Sequence, residues 1–294
     1  MHVYLNNGVV PAAEARVSVF DHGFLYGDGI YETVRAYDGV VFMIDEHIRR
    51  LYRSAGLIGL DIVKSAEEIR LAIYETMQAN DLRTAYIRIT VSRGPGAIGL
   101  DPALCESPTF VVMAQPFKDY PRAYYEEGLR LVISSVRRNL KEALNPRIKS
   151  LNFLNNILAK IEAIRADVDE ALMLNSDGFL AEGTISNIFF VKDGILCTPS
   201  EECGILDGIT RTVVIDLAAR NRIAVREGEF RPEDIYSASE VFITNSTMEV
   251  MPVRRVDDAH YAPGEMSRLL LSEYRKEVAA SVGEKKGESP SLWE

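Results

Sequence analysis

The placement of tight-turn dipeptides constrains the fold more than any other feature of the chain. Asn6-Asn7-Gly8 and Asp38-Gly39 stand between β-branched or aromatic runs, and Asp177-Gly178 and Asp193-Gly194 repeat the pattern in the second half. Such residues tolerate the positive φ that a two-residue hairpin turn needs. Strands are therefore joined locally at several points, with helical stretches lying among the hairpins. Regular strand–helix–strand crossovers lack this punctuation, which argues against a dinucleotide-binding doubly wound sheet or an eight-fold barrel.

The hydrophobic periods fill in the elements. Ile30–Tyr37 and Val40–Met43 read as strands around Asp38-Gly39. Asp45 caps a helix whose Ile48, Leu51, Tyr52 and Ala55 recur at three-to-four spacing, and a second helix covers Ala66–Asn80. Ala85–Ser92 alternates, with Ala85, Ile87, Ile89 and Val91 on one face and Tyr86, Arg88 and Thr90 on the other. Thr109–Gln115 and Leu129–Val136 are further strands. In the second half, helices are predicted at about Asn152–Asp167, Thr210–Asn221 and Pro263–Val282. Strands are predicted at Glu170–Asn175, Phe179–Glu182, Ile188–Lys192, Ile195–Cys197 and Glu240–Thr244. The pattern is α/β in the α+β sense, with two mixed domains at 1–116 and 129–283. The proline- and charge-bearing stretch 117–128 reads as their connector, and the polar end 284–294 as a disordered tail.

Composition narrows the function classes. A chain of 294 residues can hold two cores, and its net charge of -10 argues against nucleic-acid or anionic-membrane partners, which need a basic surface. No apolar run reaches the roughly 18 residues of a membrane span, and the N-terminus lacks a signal-peptide pattern, so a cytoplasmic location is expected. Cys105, Cys197 and Cys203 are too few and too scattered for a disulfide framework. His2, His22, His47 and His260 are dispersed, and no metal is expected.

The chemistry-bearing residues come as an ordered series. Lys149 follows Asn145-Pro146-Arg147-Ile148 and precedes Ser150-Leu151-Asn152-Phe153-Leu154-Asn155-Asn156, where a helix begins. Ala181-Glu182-Gly183-Thr184-Ile185-Ser186-Asn187 comes next, then Gly204-Ile205-Leu206-Asp207-Gly208-Ile209-Thr210-Arg211. Upstream stand Phe20–Gly29 and Glu46-His47-Ile48-Arg49-Arg50-Leu51, and downstream Val250-Met251-Pro252-Val253. Taken together and in order, this series resembles the class IV aminotransferases, the fold-type IV pyridoxal-phosphate enzymes, over about residues 2–280.

The resemblance implies two mixed domains with pyridoxal 5'-phosphate between them. It makes Lys149 the residue that carries the cofactor covalently and moves the substrate proton, tasks that suit a buried amine. Glu182 matches the carboxylate that faces the pyridine nitrogen and keeps the ring protonated. Leu206 matches the residue packed on one ring face. Arg50 matches a phosphate ligand, although by wheel position alone it points away from the Ile48/Leu51/Tyr52/Ala55 face and reads as a solvated charge. Gly208, Ile209 and Thr210 open a helix, whose free N–H groups and dipole favour a phosphate whatever the family. Ser246 and Thr247 match a second turn near the phosphate and the substrate carboxylate.

Substrate residues implied by the resemblance are Tyr31, Thr33, Tyr86, Arg88, Arg93 and Thr247. Tyr86-Ile87-Arg88 is similar to the pocket strand of branched-chain enzymes. Arg93 through Pro102 is similar to a loop that, in their compact forms, lies near the substrate entrance across a dimer interface; an ordinary glycine-rich loop would read the same. Two departures concern specificity: Tyr31-Glu32-Thr33 stands where branched-chain enzymes have Phe-Glu-Gly, and Phe153 where many relatives have a tyrosine. The implied activity is ping-pong transamination between branched-chain L-amino acids and 2-oxoglutarate, by a homodimer or higher homo-oligomer. D-amino-acid or (R)-amine transamination, aminodeoxychorismate cleavage and a noncatalytic cofactor binder are the alternatives.

Overall fold

The computed structural model describes residues 1–285, which divide into two compact units. Unit 1 comprises Met1–Lys118, Ile148–Asn152 and the chain from Val278, and unit 2 comprises Asp119–Arg147 and Phe153–Glu277. The bounds expected from the sequence put Lys149 in the second domain. Here the short Ile148–Asn152 segment groups with unit 1, and residues 122–127, expected as connector, form a helix of unit 2.

Unit 1 contains β1 (His2–Leu5), β2 (Gly8–Pro11), α1 (His22–Tyr26), β3 (Gly29–Tyr37), β4 (Val40–Val41), α2 (Ile44–Leu57), α3 (Ala66–Ala79), β5 (Ala85–Ser92) and β6 (Thr109–Pro116). The strands form one antiparallel sheet in the order β2-β1-β6-β5-β3-β4. At the β3–β4 turn Asp38 and Gly39 both take positive φ, 46° and 90°, as a primed hairpin requires. Helix α3 starts in a capping box: Ser65 Oγ accepts from Glu68 N while Glu68 Oε2 accepts from Ser65 N.

The alternation of β5 holds. Ala85, Ile87, Ile89 and Val91 are buried in one core with Ile30, Val34 and Ala36 of β3 and with Ile48, Leu51 and Ala55 of α2. The opposite face carries Tyr86, Arg88 and Thr90, directly across from Arg35, Thr33 and Tyr31.

Unit 2 contains α4 (Arg122–Glu127), β7 (Leu129–Ile133), α5 (Leu154–Arg165), β8 (Glu170–Leu174), β9 (Leu180–Gly183), β10 (Asn187–Lys192), β11 (Ile195–Pro199), α6 (Ile209–Arg220), β12 (Val225–Gly228), α7 (Pro232–Tyr236), β13 (Glu240–Asn245), β14 (Glu249–Val256) and β15 (Ala259–His260). The terminal helix α8 spans Glu265–Lys285, longer than the sequence suggested; the rest of the expected tail, 286–294, lies outside the described residues. The sheet is mixed, in the order β12-β11-β10-β13-β14-β7-β8-β9, with β15 on β14. Among the described residues no helix is long and apolar enough to cross a membrane.

Two local results depart from the hydrophobic pattern. Helix α5 buries its small and polar residues, Asn156, Ala159 and Ala163, and exposes Leu154, Ile157, Leu158 and Ile164. Strand β14 escaped the reading because Pro252 ordinarily marks an edge or a break. It is nonetheless central, between β13 and β7, with an irregular register at Val253/Arg255. Gly128 makes this approach feasible: a Cβ there would stand 2.8 Å from Arg254 N, and its φ is +90°.

Candidate active site

In unit 1 the open edge of β3 holds the lysine. Strand β4 pairs only with Ala36 and Tyr37, so the first half of β3 has an unfilled side. The segment Ile148–Leu151 occupies it. Tyr31 N donates to Lys149 O at 2.9 Å, Leu151 N donates to Gly29 O at 2.9 Å, and Ile30 bridges Ser150 antiparallel. Lys149 N donates to Ser54 Oγ of α2 at 3.2 Å. The lysine backbone is thus fixed from a strand and a helix. Its Nζ lies 4.6 Å from the centre of the Tyr31 ring.

Tyr31, Thr33, Tyr86 and Arg88, four of the predicted substrate residues, share one sheet face by register. The Arg88 guanidinium lies 3.9 Å from the same Tyr31 ring. Burial pushes the Tyr31 hydroxyl far above the ordinary phenol range, with Arg88 opposing, so this ring stays neutral. Arg93 directly follows β5. Its guanidinium, 8% exposed, grips both Asp28 oxygens (2.8 and 3.0 Å) and donates to the carbonyls of Gly59 and Ile58.

On the core face of the sheet, α2 carries an inner stripe of His47, Arg50 and Ser54, all buried. This corrects the wheel reading of Arg50 as solvated. The helix packs two faces, and the second meets Glu32, a carboxylate in mid-strand with no solvent exposure. Arg50 Nε and Nη2 grip Glu32 at 2.6 and 2.8 Å, and His47 Nδ1 lies 2.7 Å from Glu32 Oε2. Burial pushes the Glu32 carboxyl up, but the Arg50 charge, its hydrogen bonds and His47 outweigh it and hold the group well below the usual carboxylate range. His47 is held below its ordinary value by burial, Arg50 and Lys149, against Glu32. An ionised Glu32 only accepts, so His47 Nδ1 carries the proton and donates. Sequence reasoning gave Glu32, His47 and Ser54 no role. The signal was the spacing of polar residues at 47, 50 and 54, a second helical face opposite an acid inside a strand.

Unit 2 holds the second group. Glu182 is the penultimate residue of β9, with its side chain 7% exposed. Arg138 Nε donates to its Oε1 at 2.7 Å, and Leu206 N to its Oε2 at 3.0 Å. Asn187 Nδ2 approaches Glu182 Oε2 at 3.4 Å and bonds Leu206 O at 2.9 Å, which places Leu206 beside the carboxylate. Gly208 is the N-cap of α6, and no side chain caps that helix start. A Cβ at Gly208 would stand 1.9 Å from Asn187 Oδ1, so any other residue there would displace the Asn187 side chain. Ile209 and a buried Thr210 then open the helix with N–H groups that have no partner within it. Ser246 and Thr247 form the β13–β14 turn, where Asn245 Oδ1 accepts from Thr247 N, Thr247 Oγ1 and Met248 N.

A family profile described as "Amino-transferase class IV" matches residues 29–256, most of the chain. The chain belongs to the class IV aminotransferases. A Methanocaldococcus jannaschii protein, named provisionally as a branched-chain-amino-acid aminotransferase, is 48% identical over 94% of this chain and 96% of its own. A Listeria monocytogenes D-alanine aminotransferase is 35% identical, covering 97% of this chain and 98% of its own. The branched-chain aminotransferase of Thermoproteus uzoniensis, solved with norvaline, superposes with a TM-score of 0.90 at 35% identity, over 96% and 95% of the two chains.

As a class IV aminotransferase, the chain owes its local order to residues the sequence did not single out. Arg138 and Asn187 of unit 2 were missed because one arginine or asparagine in a loop or strand gives no periodic signal. Only the fold brings Arg138 to Glu182, 44 positions away.

Proposed function

We propose that this chain is a pyridoxal-phosphate-dependent aminotransferase whose donors are branched-chain L-amino acids and whose acceptor is 2-oxoglutarate, working by a ping-pong cycle. The observation that carries the reading is the Tyr31 ring, over which the Lys149 amine and the Arg88 guanidinium both lie. A proton-transferring amine and a carboxylate-binding cation are what an amino acid and an oxo acid both require. Among the described residues no acid engages Arg88, so a substrate carboxylate suits it.

The donor set also fits pyridoxal phosphate. The uncapped start of α6, with glycine where a Cβ would clash, offers backbone N–H groups to a phosphate. Arg50 supplies a fixed cation, and Glu182 is an oriented carboxylate suited to a protonated ring nitrogen. When bound, the cofactor supplies the electron sink for the pair left as the Cα–H bond breaks. Lys149 Nζ takes the α-proton and later returns it, and Arg88 orients the substrate by its carboxylate. Thr247 and Ser246 are assigned to the phosphate and carboxylate side of the site, and Tyr86 and Thr33 to the pocket wall. The active species is assigned as a homodimer or larger.

The branched-chain assignment draws on the pocket strand Tyr86–Arg88 and on the relatives named above. Tyr31, closer to the D-specific enzymes, favours D-alanine as the second reading. The test mixes holoenzyme with L-leucine, D-alanine or (R)-1-phenylethylamine and follows loss of the cofactor's absorbance. L-Leucine is expected to bleach it fastest. Bleaching by D-alanine alone would overturn the donor assignment, and a protein that stays colourless with excess cofactor would overturn the reading altogether.

A further inference from the structure

The inner stripe of α2 does more than bury an arginine. Glu32 meets Arg50 edge-on through two nitrogens, a geometry that fixes the plane of the guanidinium as well as its place. His47, one helical turn before Arg50, fixes the carboxylate in turn through Nδ1. Ser54, one turn after Arg50, receives the Lys149 amide. One rigid helix therefore registers the arginine and the backbone of the lysine against the same strand, since Tyr31, next to Glu32, binds the Lys149 carbonyl.

We propose that Glu32 and His47 are positioning residues for phosphate recognition, fixing the plane and place of the Arg50 guanidinium so that it meets the cofactor's phosphate without reorganisation. The inference rests on the assignment of Arg50 as a phosphate ligand. Its physical basis is that a buried guanidinium with no fixed counter-charge seeks other acceptors and loses the planar fork that phosphate recognition uses. Neither residue needs to touch substrate, cofactor or any reacting atom. Their loss is therefore expected to act on affinity for the phosphorylated cofactor rather than on the rate once it is bound.

The test uses a chemical difference between ligands. Wild-type, Glu32→Gln, His47→Gln and Arg50→Ala proteins are stripped of cofactor, then titrated by absorbance with pyridoxal phosphate and separately with pyridoxal, which lacks the phosphate. Glu32→Gln keeps the shape of the side chain but removes its charge. It is expected to weaken pyridoxal phosphate at least tenfold, with pyridoxal changed less than threefold and kcat at saturating cofactor within threefold. His47→Gln should show the same selectivity, more weakly. It also serves as the working variant should Glu32→Gln fail to fold.

A purely structural role would lower Tm while leaving the ratio of the two affinities unchanged, and that result overturns the inference. If Arg50→Ala lowers the ratio and the Glu32 and His47 variants do not, the positioning inference fails while the phosphate assignment stands. If Arg50→Ala itself leaves the ratio unchanged, the phosphate assignment has failed and the inference falls with it.

Discussion

Unit 1 and unit 2 each bury a glutamate against an arginine, and the two pairs are gripped differently. Glu32 has both oxygens engaged by Arg50 and His47 and no exposure, so the plane of Arg50 is what the arrangement controls. Glu182 meets Arg138 through one nitrogen, while its second oxygen is set by the Leu206 amide and the Asn187 side chain, so here the carboxylate is the group being aimed. In the roles proposed above, the same two residue types exchange tasks, with arginine working and glutamate supporting in unit 1 and the reverse in unit 2. A residue's identity does not assign its task; the number and direction of its partners do.

The largest expected effect removes the amine held at the edge of β3 in unit 1. In the proposed assignment Lys149→Ala abolishes the covalent link and the proton transfer, the latter alone worth about 10²–10⁴ in rate. Single-turnover mixing with L-leucine should show no spectral change on the wild-type timescale. Residual turnover within tenfold of wild type would mean that neither pair acts on the chemistry assigned here.

The two pairs themselves should then separate. Glu182→Ala leaves the largely buried Arg138 cation without its carboxylate, and breaking such a pair costs up to about 3–5 kcal/mol of stability. Its activity should not return at saturating cofactor, because the aimed group is gone. Arg50→Ala removes a charged hydrogen-bonding partner, about 1.5–3 kcal/mol, or roughly 10- to 150-fold in cofactor affinity, and excess cofactor should restore turnover. Measured kcat and cofactor Kd decide between them. If both substitutions move the same parameter, the division of roles is wrong.

Much of this was legible before any coordinates. The dipeptide turns located four hairpins, and the alternation of Ala85–Ser92 gave both faces of β5 correctly, because period and turn chemistry are local properties. The motif series gave the family because it is long and ordered. What stayed hidden depends on long-range contact. The solvated reading of Arg50 failed because a wheel shows one apolar face and cannot show that a second, polar face meets an acid from a strand. The exposed aliphatic side of α5 is invisible for the same reason: the period of Leu154, Ile157 and Leu158 is helical whether the stripe faces in or out. Pro252 in a central strand depends on Gly128, more than a hundred positions away.

The smallest effect is a pH slope, and its sign differs between the units. His47 of unit 1 is depressed on folding by burial and by the Arg50 and Lys149 charges. Its contribution to stability is therefore complete above the unfolded value of about 6.5. It is lost as pH falls from there through the folded value, because the unfolded imidazole binds a proton that the folded one refuses. Glu32 behaves alike, but its window opens only below about 4.3, the unfolded glutamate value. Glu170 of unit 2 is raised by burial, against the Thr184 hydroxyl and Lys160, so its contribution is present at low pH and lost as pH rises through the folded value. Between pH 7 and 5 the His47 effect should appear as a stability loss of at most about 1.4 kcal/mol per pH unit, the limit for one proton. Denaturant midpoints of wild-type and His47→Gln apoprotein at pH 7, 6 and 5 test this. The gap between the two proteins should narrow as pH falls, because the variant lacks the titrating group, whereas a constant gap would mean that His47 contributes by packing alone.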